Sequence, residues 1–330
     1  MVSLQAMLSH NAGIRSSLPA GLVAVFVGAT SGIGAATLKA FARYTRCPRA
    51  YFVGRSQTAA DTIIAECKAL NPTGEYVFIE ADISLIRAVD EVCARIKASE
   101  TRLDILFLSQ GTASLERNKT LEGLHLLTAL AYYSRTRFIA NLLPLLEHAS
   151  CLRRVVSVGA AGFEGPINAL DFDALEVAPG QVRGHVATLI TLGLEALARH
   201  APSVSFAHSY PGTVDTPLTR RVMSNTGTPL DWMDPTESGE RHLYLLTSAR
   251  YPGRNEDAGL AQLDGDSVSN PDMIRGTDGK VGSGVYAVGP DGECVSEKTL
   301  GFLDTLRNME MVNLVWEHTV GEFERIARTV

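Results

Sequence analysis

A glycine-rich turn near the start of the chain constrains the fold more than any other feature. The apolar run 22–27 (LVAVFV) leads directly into residues 28–34 (GATSGIG), and a stretch with helical periodicity follows. Glycines at this spacing let the backbone turn tightly and approach a pyrophosphate, and the next helix directs its free N–H groups at that phosphate. The position between a strand and a helix predicts a dinucleotide site, with a structural turn as the alternative. The residues predicted to bind the cofactor here are Gly28, Thr30, Ser31, Gly32, Ile33 and Gly34.

The first two-thirds of the chain alternates short apolar runs with helical periodicity, a pattern typical of a parallel sheet wrapped by helices. The apolar runs are nearly continuous, as expected for strands buried on both faces. The predicted strands are 22–27, 50–54, 76–80, 103–109, 153–158 and 203–209. The predicted helices are 33–44, 57–70, 84–98 with Ser84 as its cap, about 120–147 and about 180–200. The fold class predicted is therefore α/β, a Rossmann-type doubly wound parallel sheet.

The pattern loosens from Pro217 onward. Residues 224–238 and 251–284 are rich in Gly, Pro, Asp, Asn and Ser, which predicts loops. A short helix is predicted over 239–249, a hairpin over 285–295, and one or two helices over 300–328. We expect a single domain over residues 1–330, with a core at about 20–216 and a loop-rich C-terminal cover over the substrate at about 217–330.

Composition and charge exclude several classes of protein. The 330 residues are 45% hydrophobic and 20% charged, as in ordinary globular proteins, and the net charge of -6 provides no electrostatic surface for nucleic acid or an anionic membrane. The five cysteines are scattered without a C-x-x-C pair, so neither a metal site nor a disulfide framework is indicated. Residues 1–20 lack the pattern of a signal peptide. We expect a cytoplasmic protein with a small-molecule substrate and no metal, nucleic acid or membrane partner.

An arginine follows the second predicted strand. Arg55 lies twenty-one positions after Gly34 and is followed by Ser56, with no acidic residue nearby. An acid at this place would bind the ribose hydroxyls of NAD, whereas an arginine would pair with the 2′-phosphate of NADP. Arg55 and Ser56 therefore favour NADP(H) over NAD, with a solvated arginine at a strand end as the alternative.

Together these features resemble the short-chain dehydrogenase/reductase family, in particular its divergent branch found in fungal secondary-metabolite gene clusters. The resemblance covers about residues 20–216 and rests on the glycine turn, Arg55, and short motifs after the third, fourth and sixth strands. It implies an NADP(H)-dependent oxidoreductase that acts on a bulky apolar metabolite in secondary metabolism. Asp82 and Ile83 would hold the adenine, and the Pro-Gly turn with its downstream Thr would contact the nicotinamide end. The further cofactor-binding residues implied are Ser56, Asp82, Ile83, Gly111, Pro211, Gly212, Val214 and Thr216.

The acid–base residues of that family are missing from this chain. The family places a Tyr and a Lys four residues apart on a later helix. There is no tyrosine between Tyr133 and Tyr210 and no lysine between Lys119 and Lys280. The serine that normally follows the fifth strand is replaced by Ala160, and Ser157, three residues earlier, is expected to be buried or to face the other side.

The positions of the missing pair depend on the register chosen. Matching the helix pattern places Arg183 and Ala187 there, whereas counting back from Pro211 places Gln181 and His185 there. Positioned acid–base groups contribute about 10²–10⁴ in rate. A chain without them must obtain the proton elsewhere or catalyse a reaction that needs none.

Two residues are predicted as catalytic replacements. His185 titrates near neutrality and shares an apolar stripe with Leu189 and Leu192, although a structural histidine is the alternative. Tyr133 with Arg137 reproduces a phenol–cation pair at i, i+4, with simple helix packing as the alternative.

Other groups and other reactions also fit the sequence. Arg183 could bind an anionic substrate or polarise a carbonyl, and the carboxylates Glu164, Asp171 and Asp173 lie in the loop after the fifth strand. Loss of the Tyr–Lys pair also suits a redox-neutral isomerase, cyclase or epoxide-rearranging enzyme, or a non-catalytic NADP sensor. A homodimer through the helices at 120–147 and 180–200, as in many relatives, is a further expectation.

Overall fold

Seven parallel strands form one sheet at the centre of the fold. The computed structural model describes residues 1–112, 114, 116–223, 231–255 and 272–329. The strands are β1 (Val23–Val27), β2 (Arg49–Gly54), β3 (Glu75–Glu80), β4 (Ile105–Leu108), β5 (Arg154–Val158), β6 (Ser205–Ser209) and β7 (Val285–Val288). Their order is β3-β2-β1-β4-β5-β6-β7, and every neighbouring pair is parallel. The predicted Rossmann-type parallel sheet is confirmed.

The sheet carries a hydrophobic core on each face. In β1, Val25 packs in the core on one side and Phe26 in the core on the other, and both are fully buried. Successive side chains of a strand point to opposite faces, so a strand covered on both sides must be apolar at nearly every position. This explains why the six predicted strands are nearly continuous apolar runs in the sequence.

Helices cover both faces. On the face of Phe26 lie α1 (Leu4–Ser17), α2 (Gly32–Tyr44), α3 (Gln57–Leu70) and α9 (Pro235–Thr247). On the other face lie α4 (Ile86–Ser99), a π-helical turn (Ala129–Tyr133), α6 (Ser134–Glu147), α7 (Pro179–His200), α10 (Glu297–Asn308) and α11 (Met311–Arg328). Two short helices, α5 (Leu126–Thr128) and α8 (Pro217–Met223), complete the set in the described chain.

Two predicted helices differ from the structure at their starts. Ser84 does not cap α4, because its hydroxyl donates to Asp82, and the first N–H groups of α4 donate instead to the Glu122 carboxylate. The helix predicted at 120–147 begins only at Leu126 and contains the π-helical turn before α6. In both cases the partner group lies outside the local sequence, which is why the local pattern misplaced these helix boundaries.

The region after residue 217 does more than cover the sheet. β7 lies at the edge beside β6, where Tyr286 is fully buried, and α9 packs so closely on α2 that a methyl group on Gly239 would lie 2.7 Å from the Ala36 backbone. The predicted hairpin is reduced to an antiparallel bridge between Val288 and Cys294. Of the predicted loops, residues 224–230 and 256–271 lie outside the described residues.

The terminal helix α11 packs on α7 and α4. The Arg137 guanidinium lies 5.0 Å from the Phe323 ring centroid, and Arg87 donates to the Ile326 carbonyl at 2.7 Å. Part of the helical face expected to mediate a homodimer is therefore covered within the chain, and the dimer stays a prediction. No helix in the described ranges is long and apolar enough to cross a membrane.

Candidate active site

The glycine turn has the geometry that a close backbone approach requires. Gly28 has a φ of +78°, which side-chain-bearing residues rarely adopt, and a methyl group there would lie 2.6 Å from the Gln110 backbone nitrogen. A methyl group on Gly34 would lie 2.6 Å from the Gly28 carbonyl oxygen. The backbone of the turn therefore packs against itself and against the residues after β4, so only glycine fits at positions 28 and 34.

The N-terminus of α2 is available to an anion. Ser31 is the N-cap residue in extended backbone, and its side chain makes no capping hydrogen bond. The N–H groups of the first turn, which include those of Gly32, Ile33 and Gly34, are consequently left for an external acceptor. A surface groove of about 520 Å³ begins at residues 30–32 and continues along α2.

The end of β2 lies beside this turn. The N–H of Gly28 donates to the Val53 carbonyl at 3.0 Å, and a methyl group on Gly54 would lie 2.5 Å from the Thr30 side chain. Arg55, the next residue, is exposed and forms no ion pair with a described residue. Ser56 accepts from the Ala59 N–H and so caps α3.

The remaining predicted cofactor residues border the same edge of the sheet. Asp82 is exposed and accepts from Ser84, Ile83 is buried, and the N–H of Ala81 donates to the Gly54 carbonyl at 2.9 Å. Gly111 is exposed, one residue beyond Gln110. These residues line the carboxyl ends of β2, β3 and β4, where ligands bind in such sheets.

The segment after β6 folds back onto the glycine turn. Pro211 and Gly212 form the turn, with a φ of +79° at Gly212, and Val214 is buried. A methyl group on Gly32 would lie 3.2 Å from the Thr216 side chain. The structure therefore brings Thr216 to the glycine turn across 184 positions of sequence.

A buried arginine occupies the space between the ends of β4 and β5. Arg135 donates to the Ser157 hydroxyl at 2.8 Å and to the carbonyls of Val158 and Gln110. Its Nε is buried without a hydrogen-bond partner, and no carboxylate of a described residue lies within 4.0 Å. Burial lowers the pKa of Arg135 to about 9, so it remains cationic at neutral pH. Ser157 is buried, as expected.

A chain of hydrogen bonds supports the loop after β5. The Ala160 N–H donates to His208 Nε2 at 3.0 Å, so the His208 proton is on Nδ1, which lies 2.8 Å from Thr191 Oγ1. Thr191 donates to Glu164 at 2.8 Å. Burial raises the pKa of Glu164, but the hydrogen bonds from His208 and Thr191 outweigh this effect and leave it lowered. The relay fixes the backbone of Ala160, the residue expected at the family's serine position.

The structure surrounds His185 with structural partners. Its Nδ1 accepts from the Asn168 N–H at 3.3 Å, and its Nε2 lies 3.1 Å from the Phe172 carbonyl, to which it must donate. The side chain is fully buried, and burial lowers its pKa. Both ring nitrogens are occupied, which weighs against proton transfer to a substrate. Its catalytic role stays a prediction.

The expected pair of Tyr133 with Arg137 is not formed. Arg137 instead makes a two-pronged ion pair with Asp90, at 2.5 and 2.8 Å. The Tyr133 hydroxyl is 2.7 Å from His318 Nε2 on α11, and burial raises the pKa of this fully buried tyrosine. The two residues keep regular helical spacing, but each side chain bonds to a different helix, Tyr133 to α11 and Arg137 to α4. The catalytic role of Tyr133 also stays a prediction.

The loop carboxylates considered as acids have structural partners. Asp171 accepts from the N–H groups of residues 175–177. Asp173 accepts from the His125 N–H and the Thr128 hydroxyl, and burial raises its pKa. Among the described residues, no group of three or more His, Cys, Asp or Glu could hold a metal ion.

Arg183 lies beside Phe163 and Tyr210, at the opening of the site beyond the carboxyl ends of β5 and β6, which we call the mouth. Its guanidinium carbon lies 3.5 Å from the Phe163 ring centroid and 5.3 Å from that of Tyr210. The two registers for the missing pair named Arg183 and His185. The structure places Arg183 next to residues that follow β5 and β6, whereas His185 points toward Phe172.

Arg135 and the relay through His208 were not predicted from the sequence. An Arg inside an amphipathic helix and a His inside an apolar strand were their only sequence signals.

The chain matches known proteins along nearly its whole length. A family model for short chain dehydrogenases matches residues 22–127. An oxidoreductase of Emericella nidulans is 41% identical over 97% of this chain and 97% of its own. A short-chain dehydrogenase/reductase of Stachybotrys chartarum is 32% identical over 95% of each chain.

Solved structures show the same fold. An L-sorbose reductase from Gluconobacter frateurii, complexed with NADPH and L-sorbose, has a TM-score of 0.55 at 18% identity, over 72% of this chain and 92% of its own. A short-chain dehydrogenase from Sphingobium yanoikuyae in complex with NADPH has a TM-score of 0.52 at 21% identity, over 67% and 83%. With the near-full-length relatives, these matches show that the chain belongs to the short-chain dehydrogenase/reductase family of oxidoreductases.

Proposed function

We propose that this chain is an NADP(H)-dependent oxidoreductase that acts on a bulky apolar metabolite in secondary metabolism. The observation that carries the cofactor assignment is an exposed arginine beside a phosphate-binding turn. Arg55 follows β2 directly, and the end of β2 is in contact with Thr30 of the turn. A guanidinium at this place matches the extra phosphate of NADP by charge and by its forked donors.

The residues of the turn fit the rest of the cofactor. The backbone N–H groups at the start of α2 would hold the pyrophosphate, and the absence of a Cβ at Gly28 and Gly34 leaves room for its approach. Two structural neighbours, at low identity, are complexes with NADPH, which supports the same class of cofactor here. A bound nicotinamide cofactor supplies or accepts a hydride.

The apolar rim of the mouth supports a bulky apolar substrate. Phe163, Leu218 and Trp232 are 43%, 40% and 41% exposed, and together they can offer apolar surface to a ligand. Leu218 approaches Gly111 at the end of β4, and Met233, next to Trp232, approaches Gly212. The resemblance to the fungal secondary-metabolism branch motivates the metabolic role.

The source of the proton that accompanies hydride transfer differs from the usual one in this family. The family's serine, tyrosine and lysine are absent, and the two predicted replacements, His185 and Tyr133, already bond to Phe172 and His318. We therefore propose that the proton comes from solvent at the open mouth of the site. His185 and Tyr133 remain the alternatives, and each would have to exchange its partner during turnover.

A redox-neutral reaction is the second candidate. The missing acid–base pair favours an isomerase, cyclase or epoxide-rearranging enzyme on the same fold, and an NADP sensor would need no chemistry at all. The geometry of the turn argues against a redox-neutral enzyme. Such an enzyme needs no nicotinamide cofactor, yet the glycine turn and the exposed Arg55 beside it fit one.

Titration of the full chain with NADPH and NADH tests the assignment. We expect NADPH to bind more tightly, and Arg55→Ala to weaken NADPH by about 10- to 100-fold, the value of a charge-assisted hydrogen bond to a phosphate, while leaving NADH unchanged. Arg95→Ala removes an exposed arginine on α4 and is the matched control. Calorimetry or nicotinamide fluorescence measures both affinities.

Two outcomes would contradict the proposal. If neither nicotinamide cofactor binds, the redox-neutral enzyme is left. If a substrate is converted without any change in NADPH absorbance, the chain is not an oxidoreductase toward that substrate.

A further inference from the structure

Three side chains from separate elements meet at the carboxyl edge of the sheet. Arg183 lies near the start of α7, Phe163 in the loop after β5, and Tyr210 directly after β6. The guanidinium stacks on the Phe163 ring at 3.5 Å, and the two rings meet edge to face with centroids 4.9 Å apart. We call these three residues the Arg183 cluster.

The guanidinium of the Arg183 cluster is held in place but not neutralised. Stacking on an aromatic ring uses the face of a guanidinium and leaves its in-plane N–H donors available. Arg183 is exposed and makes no hydrogen bond or ion pair with a described residue, whereas Arg137 and Arg307 each bond to a carboxylate. Arg183 therefore presents an oriented fork of donors to solvent.

The position of the cluster is that of a substrate contact. Tyr210 precedes the Pro211–Gly212 turn, and Phe163 lies three residues after Ala160, which occupies the family's serine position. Phe163 is also 43% exposed, so the cluster joins an apolar surface to the cation. A ligand that lies against the ring can reach the donors of Arg183 at the same time.

On the basis of the function proposed above, we propose that the Arg183 cluster binds an acidic group on the substrate. The fork matches a planar anion with two oxygens, which is either a carboxylate or the enolate of a 1,3-dicarbonyl. Phe163 and Tyr210 pack against the conjugated or apolar part to which that anion is attached. The substrate class is thus an apolar metabolite that carries one planar acidic group.

The attraction of an anionic substrate acts only at short range from Arg183. The chain has a net charge of -6, so it does not attract anions at long range. The preference for an anion must come from Arg183 itself, and because the residue is exposed it must weaken as salt increases. A lysine would keep the charge but not the fork or the stacking.

Binding of matched acidic and neutral probes tests the site. The carboxylate pair is 2-naphthoate and 2-naphthamide, and the enolate pair is 4-hydroxycoumarin and 4-methoxycoumarin. Calorimetry is run on the full chain, with and without saturating NADPH, at low and at physiological salt. We expect at least one acidic probe to bind about fivefold more tightly than its neutral partner at low salt, as one exposed charge-assisted contact allows, and the preference to shrink with salt.

Variants assign the preference to the cluster. Arg183→Gln should abolish it, Arg183→Lys should keep only part of it, and Phe163→Leu should weaken acidic and neutral probes together. Arg199→Gln, an exposed arginine at the other end of α7, should change nothing. Equal binding of acid and neutral probes by the unmodified chain, no binding of any probe, or a preference that survives in Arg183→Gln would overturn the inference.

The two proposals fail separately in this experiment. If NADPH binds but the probes show no Arg183-dependent preference, only the Arg183 cluster is lost. If NADPH does not bind but the preference is present, the anion site stands and the cofactor assignment falls.

Discussion

The two ends of the site are encoded in different ways. The cofactor end is built from one contiguous segment, residues 28–34, and from Arg55 a short distance later. The proposed reaction end is assembled from Ala160 and Arg183, in the connection from β5 to β6, and from Tyr210, directly after β6. The cofactor end depends on backbone N–H groups and on glycines, which have no side chain. The reaction end depends on side chains that are positioned by tertiary contacts.

This difference implies that the glycine turn can change less than the proposed reaction end. A backbone turn tolerates almost no substitution, because a methyl group at Gly28 already meets the Gln110 backbone at 2.6 Å. Side chains at the reaction end can be replaced without disturbing the fold, provided that the buried groups beneath them are satisfied. Arg135 and the relay from Ala160 to Glu164 supply that support.

The largest effect is expected at the glycine turn. Gly28→Ala combines a φ of +78° with a backbone clash, and should reduce NADPH affinity by about 100-fold or more. Gly21→Ala has a φ of +77° but no neighbour within 4 Å, so it adds strain alone, about 1 kcal/mol. Gly13→Ala, inside α1 with nothing within 4 Å, should stabilise the chain slightly. Equal binding by all three variants would remove the basis of the comparison.

Two arginines on α6 allow a comparison of a buried supporting residue, Arg135, with a partly exposed one, Arg137. Arg135→Met leaves the carbonyls of Val158 and Gln110 without their donor, and should lower the free energy of unfolding by about 3 kcal/mol. Arg137→Met removes a half-exposed ion pair with Asp90 and should cost less than about 1 kcal/mol. Urea unfolding measures both values. A smaller loss for Arg135→Met than for Arg137→Met would contradict the supporting role.

A buried histidine next to the sheet predicts a dependence of stability on pH. Burial lowers the pKa of His242 from 6.5 to about 4, so between these values the unfolded chain binds a proton that the folded chain does not. Stability is therefore lost as the pH falls, by about 2 kcal/mol between pH 7.5 and 5 from this residue alone. His242→Gln should reduce the slope seen in thermal unfolding; an unchanged slope would assign it to other groups.

The smallest effect is expected at His185. Because its Nδ1 accepts from Asn168 and its Nε2 must donate to Phe172, we expect the ring to stay neutral, with the proton on Nε2, between pH 6 and 8. Long-range proton–nitrogen NMR identifies the tautomer directly. Proton uptake in that range with NADPH present, together with its disappearance in His185→Gln, would restore His185 as the catalytic acid.

The sequence was sufficient for the sheet and for the glycine turn because both depend on local patterns. Buried parallel strands must be apolar runs, and a phosphate turn must have glycines, so β1 and residues 28–34 could be recognised without tertiary information. β7 was missed as a seventh parallel strand, because four residues after a long loop resemble half of a hairpin. The N-terminal helix α1 carries only a weak apolar stripe and was not predicted at all.

The reaction end could not be predicted from local patterns. The pairing of Tyr133 with Arg137 was expected from helical spacing alone, but His318 and Asp90, both distant in sequence, bond to the two side chains instead. Arg135 looked like a surface residue of an amphipathic helix, and only the ends of β4 and β5 make it a buried one. The stacking of Arg183 on Phe163 likewise joins segments that are separate in sequence.

The final helix has a consequence for how the protein is made. The hydroxyl groups of Tyr132 and Tyr133 each have a partner 2.7 Å away on α11, Thr319 and His318 respectively. A nascent polypeptide cannot complete that face of the sheet until α11 has left the ribosome. Until then the π-helical turn keeps apolar surface uncovered, so a prematurely terminated product would expose it to chaperones and proteases.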